Sequence, residues 1–265
     1  MNIVVCIKQV PASSNVAIDP DTGVLLRDGS ASKMNPYDLY ALETAFRIKE
    51  QNGAQVHAVT MGPLSAQAVL KEAISMGADQ GYLISDRAFA GSDVLSTARI
   101  LSHTIKDIIG DVDLIICGEQ TTDGDTAQVG PEIAQMLDLP HVSWIRKIVS
   151  FDNESIRIQH EPNRLRYELT MRLPALITVS KGIYTPRLPS YRRQEAFSDE
   201  QIMMVNLAML KNLRPEDCGL SGSPTQVESM FAPSHEQTRL LLDGTTEESV
   251  SGLLAYLTEE KVWEI

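Results

Sequence analysis

The stretch Gly118–Pro131, GEQTTDGDTAQVGP, carries the strongest structural signal in this chain. The apolar run Asp113–Cys117, DLIIC, comes directly before it and predicts a buried strand. After Val129, the residues Gly130–Leu137, GPEIAQML, predict the start of a helix with proline at an early helical position. A strand that leads through a polar loop into a helix presents free backbone N–H groups and the positive end of the helix dipole. The sequence therefore predicts an anion site here, suited to phosphate and ribose.

Side chains in this loop both support and complicate that interpretation. Hydroxyl and amide groups add hydrogen-bond donors at Thr121, Thr122, Thr126 and Gln128. Two carboxylates are unfavourable beside phosphate, and we expect Asp123 to face ribose hydroxyls or solvent and Asp125 to cap the helix. An ordinary polar loop is the alternative, because many α/β proteins have one after a strand and an early helical proline is common capping chemistry. Its place at the carboxyl end of a strand favours a nucleotide without deciding the matter.

Composition excludes several classes of function. The chain has 265 residues, of which 43% are hydrophobic, enough for a sizeable core. Its formal net charge of -12 disfavours binding to nucleic acid and to anionic membrane surfaces. No apolar run approaches the ~20 residues of a membrane span. The first residues already have a strand pattern rather than a basic leader, so we expect a cytoplasmic protein without membrane attachment.

Cysteine and histidine give no sign of a metal site or a hydrolase. The three cysteines, Cys6, Cys117 and Cys218, have neither a disulfide framework nor metal-ligand spacing. Cys6 and Cys117 lie in apolar runs, which favours small core residues over nucleophiles. The five histidines are scattered, without a paired spacing or a neighbouring nucleophile. We therefore predict no bound metal and no Ser/His/Asp chemistry.

The first half of the chain alternates strands and helices. Strands are predicted at Asn2–Val10, 55–61, 81–84 and 114–117, and helices begin at Asn35-Pro36, at Ser65 and at Ser92 or Asp93. A turn signal, DPDTG, predicts a hairpin between residues 18 and 27. This alternation predicts an α/β fold: a mostly parallel, Rossmann-like sheet with helices on both faces.

The second half changes character. Successive strands with short turns are predicted at 145–149, 155–160, 167–172 and 176–179, which indicates antiparallel strands added at one edge of the sheet. Two prolines and three arginines in Tyr184–Arg193 predict an exposed, extended segment. Residues 207–240 have weak periodicity and predict an arm, followed by a helix at 247–260. We divide the chain into a nucleotide-binding domain, 1–190, and a docking loop with a C-terminal arm, 191–265.

Four motifs, in order, carry a family resemblance. They are Val4–Pro11 (VVCIKQVP), Met34–Asp38 (MNPYD), Gly77–Asp79 (GAD) and the loop from Gly118 to Pro131. Together they resemble the β subunit of electron transfer flavoproteins over residues 1–190. The remaining arm matches that family in length.

The resemblance implies a redox complex. The β subunit pairs with an α subunit that holds FAD, and itself holds either structural AMP or a second FAD. Members with the second FAD accept hydride from NADH and bifurcate electrons between ferredoxin and, through the α-subunit flavin, a dehydrogenase. The stretch Asp123–Pro131 resembles this FAD-binding branch. Gly124 and Ala127 leave room for the backbone to approach a pyrophosphate.

The resemblance also assigns site residues. Cys6 would lie near the adenine, Met61 against the nucleotide, and Asn35, Pro36, Tyr37 and Asp38 along the adenine and ribose edges. Ribose and phosphates would be wrapped by Gly118, Gln120, Thr121, Asp123, Gly124, Asp125, Thr126, Ala127, Gln128 and Val129. Ser92, Asp93 and Thr97 would approach the flavin, although Val94 stands where a hydroxyl residue is frequent in the family.

Simpler structural roles compete with some of these assignments. Asn35-Pro36 could be only a helix start, and Asp93 only an N-cap. No residue has the character of a general acid or base, because hydride and electron chemistry belong to the flavin. We therefore predict no catalytic residue.

A partner segment is implied at Pro186–Phe197. In the family this loop docks into the dehydrogenase through an anchoring leucine, and here the docking residues would be Leu188, Tyr191, Arg192 and Arg193, with Tyr191 at the anchor. A solvated basic loop is the alternative. Because the loop is altered, we expect a flavin-dependent dehydrogenase of the lactate type rather than an acyl-CoA dehydrogenase.

Two other functions stay open at this point. One is a non-redox β subunit that carries structural AMP. The other, from a different class, is an adenine-nucleotide-binding signalling or stress domain without an α partner. The predicted hairpin and the long C-terminal arm argue against the second.

Overall fold

Short runs of isoleucine, valine and leucine form the strands of a large sheet. The computed structural model describes residues 1–12, 32–228 and 241–259. Its strands are β1 (Asn2–Cys6), β2 (Gln9–Pro11), β3 (Ser32–Met34), β4 (Gln55–Met61), β5 (Gln80–Ile84), β6 (Leu114–Gly118), β7 (His141–Phe151), β8 (Ser155–His160), β9 (Tyr167–Arg172), β10 (Ala175–Val179) and β11 (Ile202–Val205). Its α-helices are α1 (Pro36–Asn52), α2 (Gln67–Met76), α3 (Val94–Thr104), α4 (Val129–Met136), α5 (Tyr191–Glu195) and α6 (Thr246–Glu259).

The order of the strands creates a switch point between β1 and β6. In the described residues the main sheet has nine strands in the order β11-β5-β4-β1-β6-β10-β7-β8-β9. The chain moves from β1 through β4 to β5 on one side, and β6 then pairs parallel with β1 on the other. Crossover connections therefore diverge from the carboxyl ends of β1 and β6, where open α/β sheets bind their ligands.

Helices cover both faces of this sheet, as predicted. Ile3 and Val5 of β1 face a core that includes residues of α1 and α2. Val4 faces the opposite core, which includes residues of α3 and α4. The alternation of side chains along a strand places successive residues on opposite faces, and both cores exclude water.

The single strand predicted over Asn2–Val10 is wrong. β1 ends at Cys6, and β2 forms a separate antiparallel pair with β3. The chain leaves the sheet because the Lys8 amide donates to the Asp38 carboxylate at 2.7 Å instead of to a neighbouring strand. The turn at Lys8 brings the start of α1 next to the end of β1.

The prediction for the later strands is correct in location and partly wrong in direction. β7, β8 and β9 are antiparallel neighbours at one edge. β10 instead pairs parallel with both β6 and β7 inside the sheet. All five residues of β10 are buried, because a central strand is covered on both faces.

The chain beyond residue 190 returns to the main sheet. β11, which the sequence did not predict, pairs parallel with β5 at the other edge. The division at residue 190 is therefore not a boundary of the sheet. The segment predicted to be extended contains the one-turn helix α5, and the predicted last helix is confirmed as α6.

Two further expectations have different outcomes. The hairpin predicted between residues 18 and 27 lies outside the described residues. Within the described part of the chain, none of the helices combines the length and the apolar character that a membrane crossing requires.

Candidate functional site

The carboxyl ends of β1 and β6 lie side by side at the switch point, and we refer to the space between the segments that follow these two strands as the crevice. The turn after β1 forms one wall through Ile7 and Lys8, and the loop 119–128 after β6 forms the other. Loop residues 122–126 are exposed to solvent. The stretch Gly118–Pro131 therefore lies where Rossmann-like sheets hold their nucleotides.

Two glycines allow the helices to approach the sheet closely. A Cβ at Gly118 would lie 2.6 Å from Asp38 Oδ1 and 2.8 Å from the Tyr37 carbonyl carbon. A Cβ at Gly130 would lie 2.9 Å from Thr178 Cγ2. The start of α1 thus rests against the end of β6, and the first turn of α4 rests on β10. Larger residues at either glycine would push these helix starts away from the crevice.

Asn35 links the two sides of the crevice. Its side chain is fully buried, and its amide nitrogen donates to the Gln120 carbonyl at 2.8 Å and to Asp38 Oδ1 at 2.9 Å. Its side-chain oxygen accepts from the Thr122 amide at 3.2 Å. Asn35 occupies the N-cap position of α1, as the helix-start interpretation requires, but its side chain makes no cap bond to the helix and holds the loop instead. The Asn35 side chain therefore holds the first part of the loop 119–128 in place.

Asp38 lies buried beneath the same loop. It accepts hydrogen bonds from the Asn35 amide and the Lys8 backbone N–H. Burial raises the pKa of Asp38 to about 7, although those two hydrogen bonds act in the opposite direction. Pro36 and Tyr37, the other predicted residues of this motif, form the partly exposed first turn of α1. The α1 start therefore meets the loop at its base.

The loop backbone offers donors towards solvent. Asp125 and Ala127 adopt left-handed conformations, with φ of 50° and 55°. The backbone amides of Thr126, Ala127 and Gln128 donate to no acceptor in the described parts of the chain. Gln128 precedes α4 without a side-chain cap bond. Successive free amides at a helix start form an anion-binding concavity.

The expectation that Asp125 caps α4 is wrong. Asp125 instead accepts a hydrogen bond from the Gln120 side-chain amide at 2.9 Å, within the loop. Because Asp125 has a positive φ, its carboxylate points back along the loop rather than to the first turn of the helix. The helix start is thereby left without a carboxylate of its own loop as its cap.

Lys8, which sequence reasoning missed, neutralises the carboxylate of Asp123. Its Nζ lies 2.7 Å from Asp123 Oδ2, across the mouth of the crevice. Partial burial opposes ionisation of Asp123, but the hydrogen bond and charge of Lys8 outweigh it and lower the pKa of Asp123. The sequence feature that could have predicted this ion pair is a lysine in the turn that follows a central strand.

Cys6 and Met61 end adjacent parallel strands on the floor of the crevice. Cys6 is the last residue of β1, and Met61 is the last residue of β4. Both are partly buried and pack against the core of α3 and α4. The structure therefore brings them to the same edge as the loop.

Ser92 and Asp93 are engaged by the chain itself. Asp93 caps α3 by accepting from the Ser96 amide at 3.0 Å, and its other oxygen accepts from the Thr225 hydroxyl at 2.6 Å. Ser92 Oγ accepts from the Gly219 amide at 3.1 Å. These residues hold the segment 219–225 against α3. Thr97, one turn further along α3, is partly exposed.

The predicted docking residues lie on an anchored segment. Arg187 donates to the buried carboxylate of Glu43 on α1 at 2.8 Å and to Glu50 at 2.6 Å. The Ser190 amide donates to the Ser75 carbonyl at 2.9 Å. Between these anchors Leu188 is 87% exposed, and Tyr191 just beyond them is 74% exposed. Arg192 and Arg193 are exposed on α5.

Comparison with known proteins now identifies the family. The model of the electron transfer flavoprotein domain matches residues 22–203. The chain belongs to the electron transfer flavoprotein family. It is 39% identical to the electron transfer flavoprotein subunit beta of Thermoanaerobacterium thermosaccharolyticum, over 99% of this chain and 100% of that protein.

Two further relatives cover nearly as much of the chain. It is 41% identical to the caffeyl-CoA reductase-Etf complex subunit CarD of Acetobacterium woodii, over 98% of this chain and 99% of that protein. It is also 41% identical to the protein FixA of Azotobacter vinelandii, over 90% of this chain and 86% of that protein. The family resemblance drawn from four motifs is confirmed, and the role of an electron transfer flavoprotein β subunit follows.

Proposed function

We propose that this β subunit binds FAD in the crevice between β1 and β6 and receives hydride there from NADH. The observation that carries the proposal is the row of free amides at Thr126, Ala127 and Gln128, directly before α4 at the switch point. These donors suit the diphosphate of a dinucleotide. The charge of Asp123 does not oppose it, because Lys8 pairs with that carboxylate, and Asp125 Oδ1 is engaged by the Gln120 side-chain amide.

Open space above the loop supports FAD over AMP. A Cβ at Gly124 would have a single near neighbour, the Thr121 hydroxyl at 3.5 Å. The backbone at Gly124 can therefore approach a second phosphate closely. Structural AMP is the alternative that the same amides could hold, and it would leave this part of the loop in solvent.

The residues of this chain bind and orient the cofactor. FAD, when bound, supplies the hydride and electron chemistry. The amides before α4 would hold its phosphates, and Asn35 would keep the loop in place through Gln120. Cys6 and Met61 would line the floor. We assign no proton transfer to any side chain in the crevice.

We further propose three protein partners. An α subunit of the same family would pair with this chain and pass electrons to its own FAD, and ferredoxin would accept the low-potential electron of a bifurcating pair. A flavin-dependent dehydrogenase, of the lactate type, would dock on Leu188 and Tyr191. The hydrogen bonds of Arg187 and Ser190 support this docking because they hold the segment in place. Exposed side chains on a preorganised segment lose little entropy on binding.

Counting cofactors in the purified complex with its α subunit tests the proposal. Two flavins per αβ pair support FAD in this chain, and one flavin with one AMP supports the alternative. A chain that purifies alone and bound to ATP would support the signalling or stress class. Recovery of an acyl-CoA dehydrogenase with the complex would contradict the lactate-type partner.

A substitution at Gly124 tests whether this loop binds the cofactor. Gly124→Trp should place an indole where the diphosphate approaches and abolish flavin binding to this chain, at an exposed position with room for a Cβ. Asp111→Trp is the control. It puts the same bulk on an exposed loop that precedes β6, at the amino ends of the strands and away from the crevice. Full FAD occupancy in the Gly124→Trp complex would contradict the assignment of the loop.

A further inference from the structure

Two cysteines face each other on the floor of the crevice. Cys6 and Cys117 are register partners on the adjacent parallel strands β1 and β6. Both are free thiols, and both belong to the face of the sheet that packs against α3 and α4. The neighbouring Cys6 side chain, together with burial, raises the pKa of Cys117 well above its ordinary value. The two side chains are therefore neighbours on the same face of the sheet.

The backbone permits a bond between them. Neighbouring strands are about 4.8 Å apart, and disulfides span Cα separations of about 4.4–6.8 Å. The Cβ atoms of a disulfide are about 3.5–4.5 Å apart, so the two strands would have to draw slightly together. A disulfide with such strain is easily reduced, which is typical of regulatory rather than structural bonds.

We propose that Cys6 and Cys117 form a dithiol that hydrogen peroxide oxidises to a disulfide, and that this bond weakens nucleotide binding in the crevice. Cys6 is the partly exposed member and reacts first. Its sulfur attacks one peroxide oxygen, the O–O bond breaks, and sulfenic acid and water form. The Cys117 sulfur then attacks the Cys6 sulfur, the S–O bond breaks and a second water leaves. The two thiols lose two electrons and two protons to the peroxide.

The effect on the nucleotide rests on the proposed function and on the position of Gly118. Gly118 follows Cys117 directly and has no room for even a Cβ against Tyr37 and Asp38. A shift of β6 towards β1 therefore presses on the start of α1 and on the loop that Asn35 holds. Tightly packed backbone cannot absorb this shift locally. The amides before α4 therefore move away from the positions in which they would hold the phosphates.

Mass spectrometry of the full chain, treated with peroxide and mapped without reduction, tests the bond itself. Wild type should lose about 2 Da and yield a peptide linked through Cys6 and Cys117, and dithiothreitol should reverse both changes. Cys6→Ser and Cys117→Ala should abolish the linked peptide. The matched control is Cys218→Ser, which alters a third free, buried thiol and should leave the bond unchanged. Oxidation of Cys6 to sulfinic acid in wild type, without a linked peptide, would overturn the proposal.

Titration with FAD then separates this inference from the proposed function. The oxidised wild type should bind FAD at least tenfold more weakly than the reduced chain, and Cys218→Ser should show the same difference. Equal affinity of the oxidised and reduced forms would overturn the effect on binding. A reduced chain that binds no nucleotide at all would contradict the proposed function, while the disulfide mapping would still decide whether the dithiol reacts.

Discussion

Asn35 and Gln120 lie on opposite sides of the crevice, and a 2.8 Å hydrogen bond from the Asn35 side chain to the Gln120 carbonyl joins them. Asn35 stands just before α1, and Gln120 lies two residues past β6. Because the Asn35 side chain is fully buried, the bond fixes the loop before any ligand arrives. Preorganised donors lose less entropy when they bind than donors on a mobile loop.

Replacing Asn35 with alanine should therefore weaken nucleotide binding. The variant removes the side-chain partner of the Gln120 carbonyl and of the Thr122 amide, two hydrogen bonds that typically contribute about 0.5–1.5 kcal/mol each. We expect at least tenfold weaker affinity for FAD in titration calorimetry, with the secondary structure retained. Asn206→Ala, at an exposed site without a side-chain cap bond, is the control. Unchanged affinity in Asn35→Ala would remove Asn35 from the binding machinery.

Local sequence rules predicted the elements around this loop well. The strand before Gly118, the polar loop and the helix after it all lie where residue patterns predicted them, because each signal is local. The side-chain partners could not be predicted in the same way. Asn35 has the signature of a helix cap in sequence, and its use on a loop 85 residues away depends on how β1 and β6 pair.

Long-range pairing also explains the errors in the sheet. The apolar run of β10 gives no direction, and its parallel place between β6 and β7 is set by the crossover through α4 and the ribbon β7–β9. β11 has only four residues, too few for a periodic signal. The contacts of Ser92 and Asp93 with residues 219–225 join segments more than 120 residues apart. No local pattern encodes such contacts.

Asp38 should make stability depend on pH. Its pKa is about 7 in the folded chain, above the ordinary value of 3.8, so the folded state binds the proton more tightly than the unfolded state. The stability that this proton provides is present at low pH and is lost as the pH rises through about 7. The unfolding free energy of Asp38→Asn minus that of wild type should rise by about 3 kcal/mol from pH 5 to pH 8.

Urea denaturation at several pH values, on chain free of nucleotide, measures this difference. Asp111→Asn is the control, because its side chain lies on an exposed loop and the difference from wild type should stay flat. A flat difference for Asp38→Asn as well would mean that the buried carboxyl titrates alike in the folded and unfolded states.

Lys8 should favour FAD binding because it neutralises the Asp123 carboxylate. Lys8→Met leaves the Asp123 charge unopposed beside the amides proposed for phosphate, and we expect about tenfold weaker FAD binding at low salt. Asp123→Asn in the same chain should restore most of the affinity, because the repulsive charge is gone. Added salt should shrink the effect of Lys8→Met, since it screens exposed charges. Failure of the double variant to recover would indicate that Lys8 contacts the ligand directly.

Docking on the anchored segment can be separated from cofactor binding. Leu188→Ala and Tyr191→Ala remove exposed side chains that contribute nothing to the core, so stability and flavin content should stay unchanged. Electron transfer with the dehydrogenase should require at least tenfold more of the variant complex for half-maximal rate, because interface anchors contribute about 2 kcal/mol or more. Leu64→Ala, which removes another exposed leucine near the start of α2, should leave the rate unchanged. Equal rates for all three variants would show that the dehydrogenase binds elsewhere on the complex.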